Sequence, residues 1–336
     1  MQSDNEISTK DKDRDRGVPV IAIAGTTCAG KTRLSLELAS KLDTEIICCD
    51  SRTVYKGMDI GTAKPTAVER ARISHHMLDL VEPSSNYTTA QFKDDASPIL
   101  ETLFANGKSP IVCGGTGFYF RNLLEGLKIP AVEPQEELRK ELNSFADQHG
   151  NQALHDKLQQ LDPKSAARIN VNDRFRVVRA IEVTMYCGQP FSQMIARDEP
   201  PFEVVWIGLF CDDRDALMKM INDRLQVQVR DGLISEVESL YRRYGRAHSL
   251  LHTVGYAEVI SYLEGEIDRE TAIEQIALHT YQLSRKQLIW FRANKKINWF
   301  AVDQIPFAEI VSRTLESCLK VEPETPRSSA FSSVDS

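Results

Sequence analysis

The stretch "GTTCAGKT", residues 25–32, decides the fold. It fits G-x-x-x-x-G-K-[ST], the pattern of a glycine-rich loop that wraps a phosphate. Gly25 and Gly30 let the backbone curl, so that amides of the intervening Thr26, Thr27, Cys28 and Ala29 can point at one anion. Lys31 adds a mobile positive charge, and the Thr32 hydroxyl can ligate Mg²⁺. The flanks agree with this reading. "VPVIAIAG", residues 18–25, is a continuous apolar run of the kind found in buried parallel strands. "KTRLSLELASKL" places Leu34, Leu38 and Leu42 at helical spacing. Strand, loop and helix therefore follow one another as the motif requires.

Further strands are expected outward from the loop. "EIICCD", residues 45–50, is a short apolar strand with Asp50 at its carboxyl end. "SPIVCGGTGFYF", residues 109–120, is another, opening into "GGTG", and "FEVVWIGLF", residues 202–210, is a fourth. Ligands of open α/β sheets bind outside the carboxyl ends of the strands, so residues 25–32, Asp50 and residues 114–116 are expected to converge. Residues 128–199 keep a helical period and show no strand-like run. The predicted fold is α/β: a P-loop NTPase-like, doubly wound parallel sheet with an inserted all-helical subdomain. Its core is residues 17–127 and 200–320, the latter including the C-terminal helices, and its insertion is 128–199. Residues 1–16, of mixed charge, and 321–336, rich in Ser and Pro, read as disordered tails.

With 336 residues, 42% of them hydrophobic and 26% charged, the chain can bury a sizeable core. No apolar run is long enough to span a bilayer, and the N-terminus lacks the apolar region of a secretory signal. The seven Cys are scattered and form no C-x-x-C, which predicts reduced thiols in an intracellular, cytoplasmic protein. A net charge of −7 argues against an all-round basic coat but not against a local basic patch. From Gln275 to Val302 there is no Asp or Glu, while Arg285, Lys286, Arg292, Lys295 and Lys296 fall inside that window.

The ordinary guest of such a loop is ATP or GTP, and one signature for it is missing. Nucleotide hydrolases and kinases use a second apolar strand ending in Asp to hold Mg²⁺ on the triphosphate. The strand at residues 110–113 ends in Gly114 instead. Asp50 ends the strand right after the loop helix, where a carboxylate could act as a base or simply cap the next turn.

Several stretches appear together and in order: "GTTCAGKT", "DSRTVYKGMDIGTAKPT" (50–66), "HHMLDLVEP" (75–83), "CGGTGFYFRNLLEGL" (113–127), "INVNDRFRVVRAIEV" (169–183), "VGYAEVISYLEGE" (254–266) and "QLSRKQLIWFR" (282–292). The chain thereby closely resembles the tRNA dimethylallyltransferases, also called tRNA isopentenyltransferases, over roughly residues 18–300. "DIGTAKPT" and "GGTGFYF" look like the branch that modifies tRNA rather than the branch that prenylates free adenine nucleotides. The resemblance implies that the loop holds the diphosphate of dimethylallyl diphosphate, with Mg²⁺ at Thr32. It implies transfer of the prenyl group to the exocyclic amine of the adenosine 3′ of the anticodon.

On these residues the implied roles are as follows. The backbone amides of the loop, Lys31 and Mg²⁺ near Thr32 suit the charge that builds on a departing diphosphate. Asp50 resembles the family's general base, and Thr116 contacts a reactant. His252 would lie near the diphosphate or the flipped base, where relatives commonly carry Arg or Gln. Asp50, Ser51, Arg52, Thr53 and Thr116 would meet the tRNA on the core. Arg139, Phe175, Arg176 and Arg179 would meet it on the insertion, and Arg285, Lys286, Gln287 and Arg292 on the basic helix. Bland readings compete at several positions. Asp173 and Glu182 are in helical reach of Arg176 and Arg179 as ion-pair partners. Leu283, Leu288, Ile289, Trp290 and Phe291 read largely as core. His75 and His76, adjacent on one element, read as structural.

Departures from the family pattern are Thr26 for the usual Pro, Cys28 for Ala, Tyr281 for Arg, and the reversed order Arg285–Lys286. Only Cys318, and no His, lies beyond Ile297, so the C-terminal zinc finger of many eukaryotic relatives is not expected. The expected protein is a monomer that binds the tRNA anticodon arm and dimethylallyl diphosphate and does not bind a membrane. Alternatives are prenylation of free adenine nucleotides, a phosphate-loop kinase of a small metabolite, and an inactive RNA-binding relative.

Overall fold

The computed structural model describes residues 18–128, 130, 132–197, 200 and 202–320. The two predicted tails lie outside the described residues. The chain leaves the strand β1 (Val20–Gly25) through the phosphate loop into α1 (Lys31–Leu42). It continues through β2 (Ile46–Cys48), α2 (Ala67–Arg72), β3 (His75–His76), α3 (Thr89–Ala105), β4 (Ile111–Cys113) and α4 (Gly117–Leu124). A second compact unit, Leu124–Glu199, then intervenes. It contains β5 (Leu127–Lys128), α5 (Glu136–Leu161), α6 (Pro163–Ala166), α7 (Arg174–Cys187), α8 (Phe191–Met194) and β6 (Ala196–Arg197). The first unit resumes with β7 (Val204–Phe210) and the helices α9 (Arg214–Arg230), α10 (Leu233–Tyr244), α11 (His248–Leu251), α12 (Tyr256–Leu263) and α13 (Arg269–Arg292). It closes with β8 (Asn298–Ala301) and α14 (Phe307–Leu319).

In the first unit six parallel strands lie in the order β3-β2-β4-β1-β7-β8. β1 is central and every residue of it is buried, as its unbroken apolar run requires. Leu34 and Leu38 of α1 pack into the same core as Ile21, Ile23, Ile111 and Ile207. From β1 the chain moves outward to β2 and β3 on one side, then to β7 and β8 on the other. That reversal opens a crevice past the carboxyl end of β1.

Several strands differ from expectation. β3 and β8 were not foreseen, because two and four residues at a sheet edge carry too little pattern. The 109–120 stretch is a strand only at Ile111–Cys113, and its "GFYF" opens α4.

The second unit is built on α5 and α7, with Leu142, Leu154, Leu158, Val177 and Ile181 in its core. α5 bends at Gly150, whose φ of 85° is left-handed. The unit is not wholly helical: β5 and β6 pair antiparallel, Leu127 opposite Arg197 and Lys128 opposite Ala196.

Candidate active site

Gly25 ends β1 with φ 133°, and a Cβ there would lie 2.1 Å from the Leu209 carbonyl oxygen. Only glycine lets the chain turn out of the sheet this close to its neighbour. The Thr26 amide then donates to Leu209 O, and Lys31 Nζ folds back to donate to Thr26 O at 2.7 Å. Burial lowers the Lys31 pKa, and Arg224 adds to this while Asp50 opposes it. Arg224 of α9 donates to Thr27 Oγ1 at 3.0 Å and reaches Cys28 Sγ at 3.7 Å. Cys28 sits at φ 64°. α1 begins at Lys31 with no side chain capping its first amides. A helix start left in this state is suited to an anion.

Asp50 follows β2, and its Oδ1 accepts the Arg52 amide at 2.9 Å. Thr116 is fixed against the same turn. Its Oγ1 accepts the Ser51 amide at 2.9 Å and donates to Ser51 Oγ, while its own amide donates to Cys49 O. Thr53 Oγ1 donates to Asp50 O. The "GGTG" turn owes its glycines to this crowding: a Cβ on Gly114 would lie 2.0 Å from Cys49 O. One on Gly115 would lie 2.4 Å from Gln287 Nε2. Gln287 completes the convergence by bonding both Thr27 and Gly115. The phosphate loop, Asp50 and residues 114–116 thus form one site, as their strand-end positions predict. Tyr119 is buried beside it, and burial, with Tyr55, Cys49 and Asp50 near, pushes its hydroxyl pKa up.

The other predicted residues have the following surroundings. Gln287, expected at the RNA, is a tie between two loops of the site. His252, expected at the diphosphate, stacks on His248, with ring centroids 3.9 Å apart and planes 15° apart. Its Nδ1 pairs with His248 O. Arg139 grips the fully buried Glu182 through two hydrogen bonds of 2.8 and 3.1 Å, and Arg179 adds a third of 2.6 Å. These two guanidiniums are engaged inside the second unit, whereas Phe175 is 77% exposed and Arg176 is exposed beside Asp173. Arg285, Lys286 and Arg292 are exposed on α13. Leu288 and Phe291 are core residues, but Leu283 and Ile289 are exposed. Trp290 is half-buried against Phe118 and Phe291, with Arg121 over its ring at 4.5 Å. His75 and His76 form β3, and His76 pairs with Glu45.

Sequence reasoning missed Arg224, which carries no local motif. It also missed how "DIGTAKPT" is held. Glu236 of α10 accepts the amides of Asp59, Ile60 and Gly61 and the Tyr256 hydroxyl. Lys64, buried, donates to Tyr55 O, Asp59 and Asp79. Thr26 is buried and its hydroxyl has no partner. It borders a cavity of about 30 Å³ shared with Tyr281, Ser284 and Arg285, room for one water.

The sheet, the loop and the glycines at the strand ends define a phosphate-loop protein of the α/β class. The IPP transferase family model matches residues 53–294. The tRNA dimethylallyltransferase of Thermomicrobium roseum is 39% identical over 307 residues, 91% of this chain and 93% of its own length. That of Halalkalibacterium halodurans is 38% identical over 291 residues, covering 86% and 92%. The full-length tRNA isopentenylpyrophosphate transferase of Bacillus halodurans, solved by crystallography, is 36% identical. It aligns with a TM-score of 0.64 over 90% of this chain and 98% of that one. A eukaryotic dimethylallyltransferase acting on tRNA, 24% identical, shares the fold, with a TM-score of 0.72 over 91% and 81%. This chain belongs to the IPP transferase family. Among the described residues no helix is long and apolar enough to cross a membrane.

Proposed function

We propose that this chain transfers the dimethylallyl group of dimethylallyl diphosphate to the exocyclic amine of the adenosine 3′ of the tRNA anticodon, releasing diphosphate. The observation that carries this is the joining of an anion loop and the carboxylate of Asp50 at one crevice, in a chain of this family. The allylic carbon–oxygen bond breaks as charge builds on the diphosphate, and the uncapped start of α1, Lys31 and Arg224 stabilise that charge. The amine nitrogen bonds to the allylic carbon, and its proton passes to Asp50. Ser51 and Thr116 hold the turn that aims this carboxylate. The target base leaves its stack to reach the crevice.

The residues present fit Mg²⁺ as a carried ion. Among the described residues no group of three or more His, Cys, Asp or Glu could cage a metal. The exposed Thr32 hydroxyl suits an ion that takes most of its ligands from phosphate and water. When bound, Mg²⁺ supplies charge neutralisation to the diphosphate. A kinase reading is disfavoured at the end of β4. Cys113 and Gly114 stand where the second carboxylate would stand, and burial pushes the Cys113 thiol up to about 11. A monomer is the proposed state. Cytoplasmic tRNA is its proposed target.

The test is a competition. Protein, Mg²⁺, dimethylallyl diphosphate, unmodified tRNA and AMP are incubated together, and nucleosides are weighed by mass spectrometry after digestion. A prenyl mass on the adenosine beside the anticodon, with AMP untouched, is the expected result. Prenylated AMP with bare tRNA would assign the chain to the free-nucleotide branch.

A further inference from the structure

His248 and His252 are four residues apart, at the start and the C-cap of α11, and both rings are exposed. The turn that carries the two rings is anchored in the core. The intervening Ser249 and Leu250 are buried, Ser249 Oγ donates to Pro83 O, and Thr253 Oγ1 donates to Ser249 O. The stack is also tied to the site. Pro83, held by Ser249, lies two residues from Val81, which pairs with Tyr55; the Tyr55 amide donates to Arg52 O, and the Arg52 amide donates to Asp50 Oδ1. Burial lowers the His248 pKa, and His252 and Arg52 add to this, so the ring is neutral at pH 7.

The reaction creates a need at this spot. Extruding one base from a single-stranded loop strips its neighbours of a stacking partner. A flat π-face beside the crevice can replace that partner without reading sequence. Resting on the tRNA reading above, we propose that the His252–His248 stack is a platform for the nucleobase next to the target adenosine, with Arg52 at its edge. This separates His252 from the diphosphate, where the family pattern would put it.

The test uses the full-length protein and an anticodon stem-loop RNA carrying 2-aminopurine immediately 5′ or, in a second RNA, immediately 3′ of the target. Quenching beyond that of free RNA is expected at one of the two positions. It should be lost in His252→Ala and retained in His252→Phe, which keeps a stacking face. In steady-state transfer, His252→Ala should raise KM for RNA about tenfold. KM for dimethylallyl diphosphate should stay unchanged, and His248→Ala should act in the same direction. No quenching at either position, or quenching that survives His252→Ala, overturns the platform. A rise in donor KM instead of RNA KM overturns it too and returns His252 to the diphosphate. Because quenching needs no turnover, wild-type protein that binds the RNA but transfers no prenyl group would sink the proposed function while leaving the platform standing.

Discussion

Gln287 holds Thr27 from 260 residues away: its Oε1 accepts the Thr27 amide at 2.8 Å, while its Nε2 donates to Gly115 O at 3.3 Å. One side chain thus sets the spacing between the anion loop and the "GGTG" turn. Gln287→Ala should lower kcat/KM for the donor about ten- to hundredfold, the cost of leaving such groups unpaired. Steady-state kinetics against each substrate, with a melting curve as control, measures this. An unchanged kcat/KM would mean that the two loops keep their spacing without the tie.

Asp50→Ala should cut kcat about 10²- to 10⁴-fold while leaving tRNA affinity nearly intact. Single-turnover transfer and a binding titration separate the two. Near-normal turnover would remove Asp50 as the base.

Arg285→Ala with Lys286→Ala should weaken tRNA binding and reduce the slope of log K against log salt by about one to two. Both side chains are exposed on α13, so the fold should tolerate their loss. An equal slope would give that stretch a purely structural role.

Glu182 has no exposed surface, and burial alone would raise its pKa. Hydrogen bonds from Arg139, Arg179 and the Gln135 amide outweigh that and hold it below the usual carboxylate range. A depressed carboxyl stabilises the fold above its unfolded value and loses that contribution as pH falls through the folded one. Asp79 and Asp162 are shifted the same way. His75, lowered by burial, also favours the fold in its neutral form, so its contribution fades as pH drops below about 6.5. Denaturant midpoints should therefore fall in two stages, first below about pH 6.5 and again below about pH 4.5. Glu182→Gln should cost about 3 kcal/mol, since two guanidiniums lose their partner, and should blunt the lower stage.

What could be read from the sequence was what is local. The strand, loop and helix around residues 20–42 follow from neighbouring residues, and Asp50 was found because strand ends face the crevice. Arg224, Gln287 and Glu236 act on residues 176 to 260 positions away, and no spacing rule spans that. Arg139 was singled out by resemblance alone; its partner Glu182 lies 43 residues further on, beyond any helical spacing, whereas the pairing of Arg179 with Glu182 was within helical reach. On α13 the helical period over-assigned the core, because Leu283 and Ile289 share the sequence character of Leu288 and Phe291 but not their burial.

Because Leu127 pairs with Arg197 and Lys128 with Ala196, the inserted unit departs and comes back at a single point. Strands paired this way sit about 5 Å apart, so the rest of the chain experiences the 67 residues between Lys128 and Ala196 much as it would a hairpin turn. The unit is in that sense an interchangeable cassette. A change of helix length within it leaves both of its ends paired, and the register between β1 and β7 has no reason to change with it.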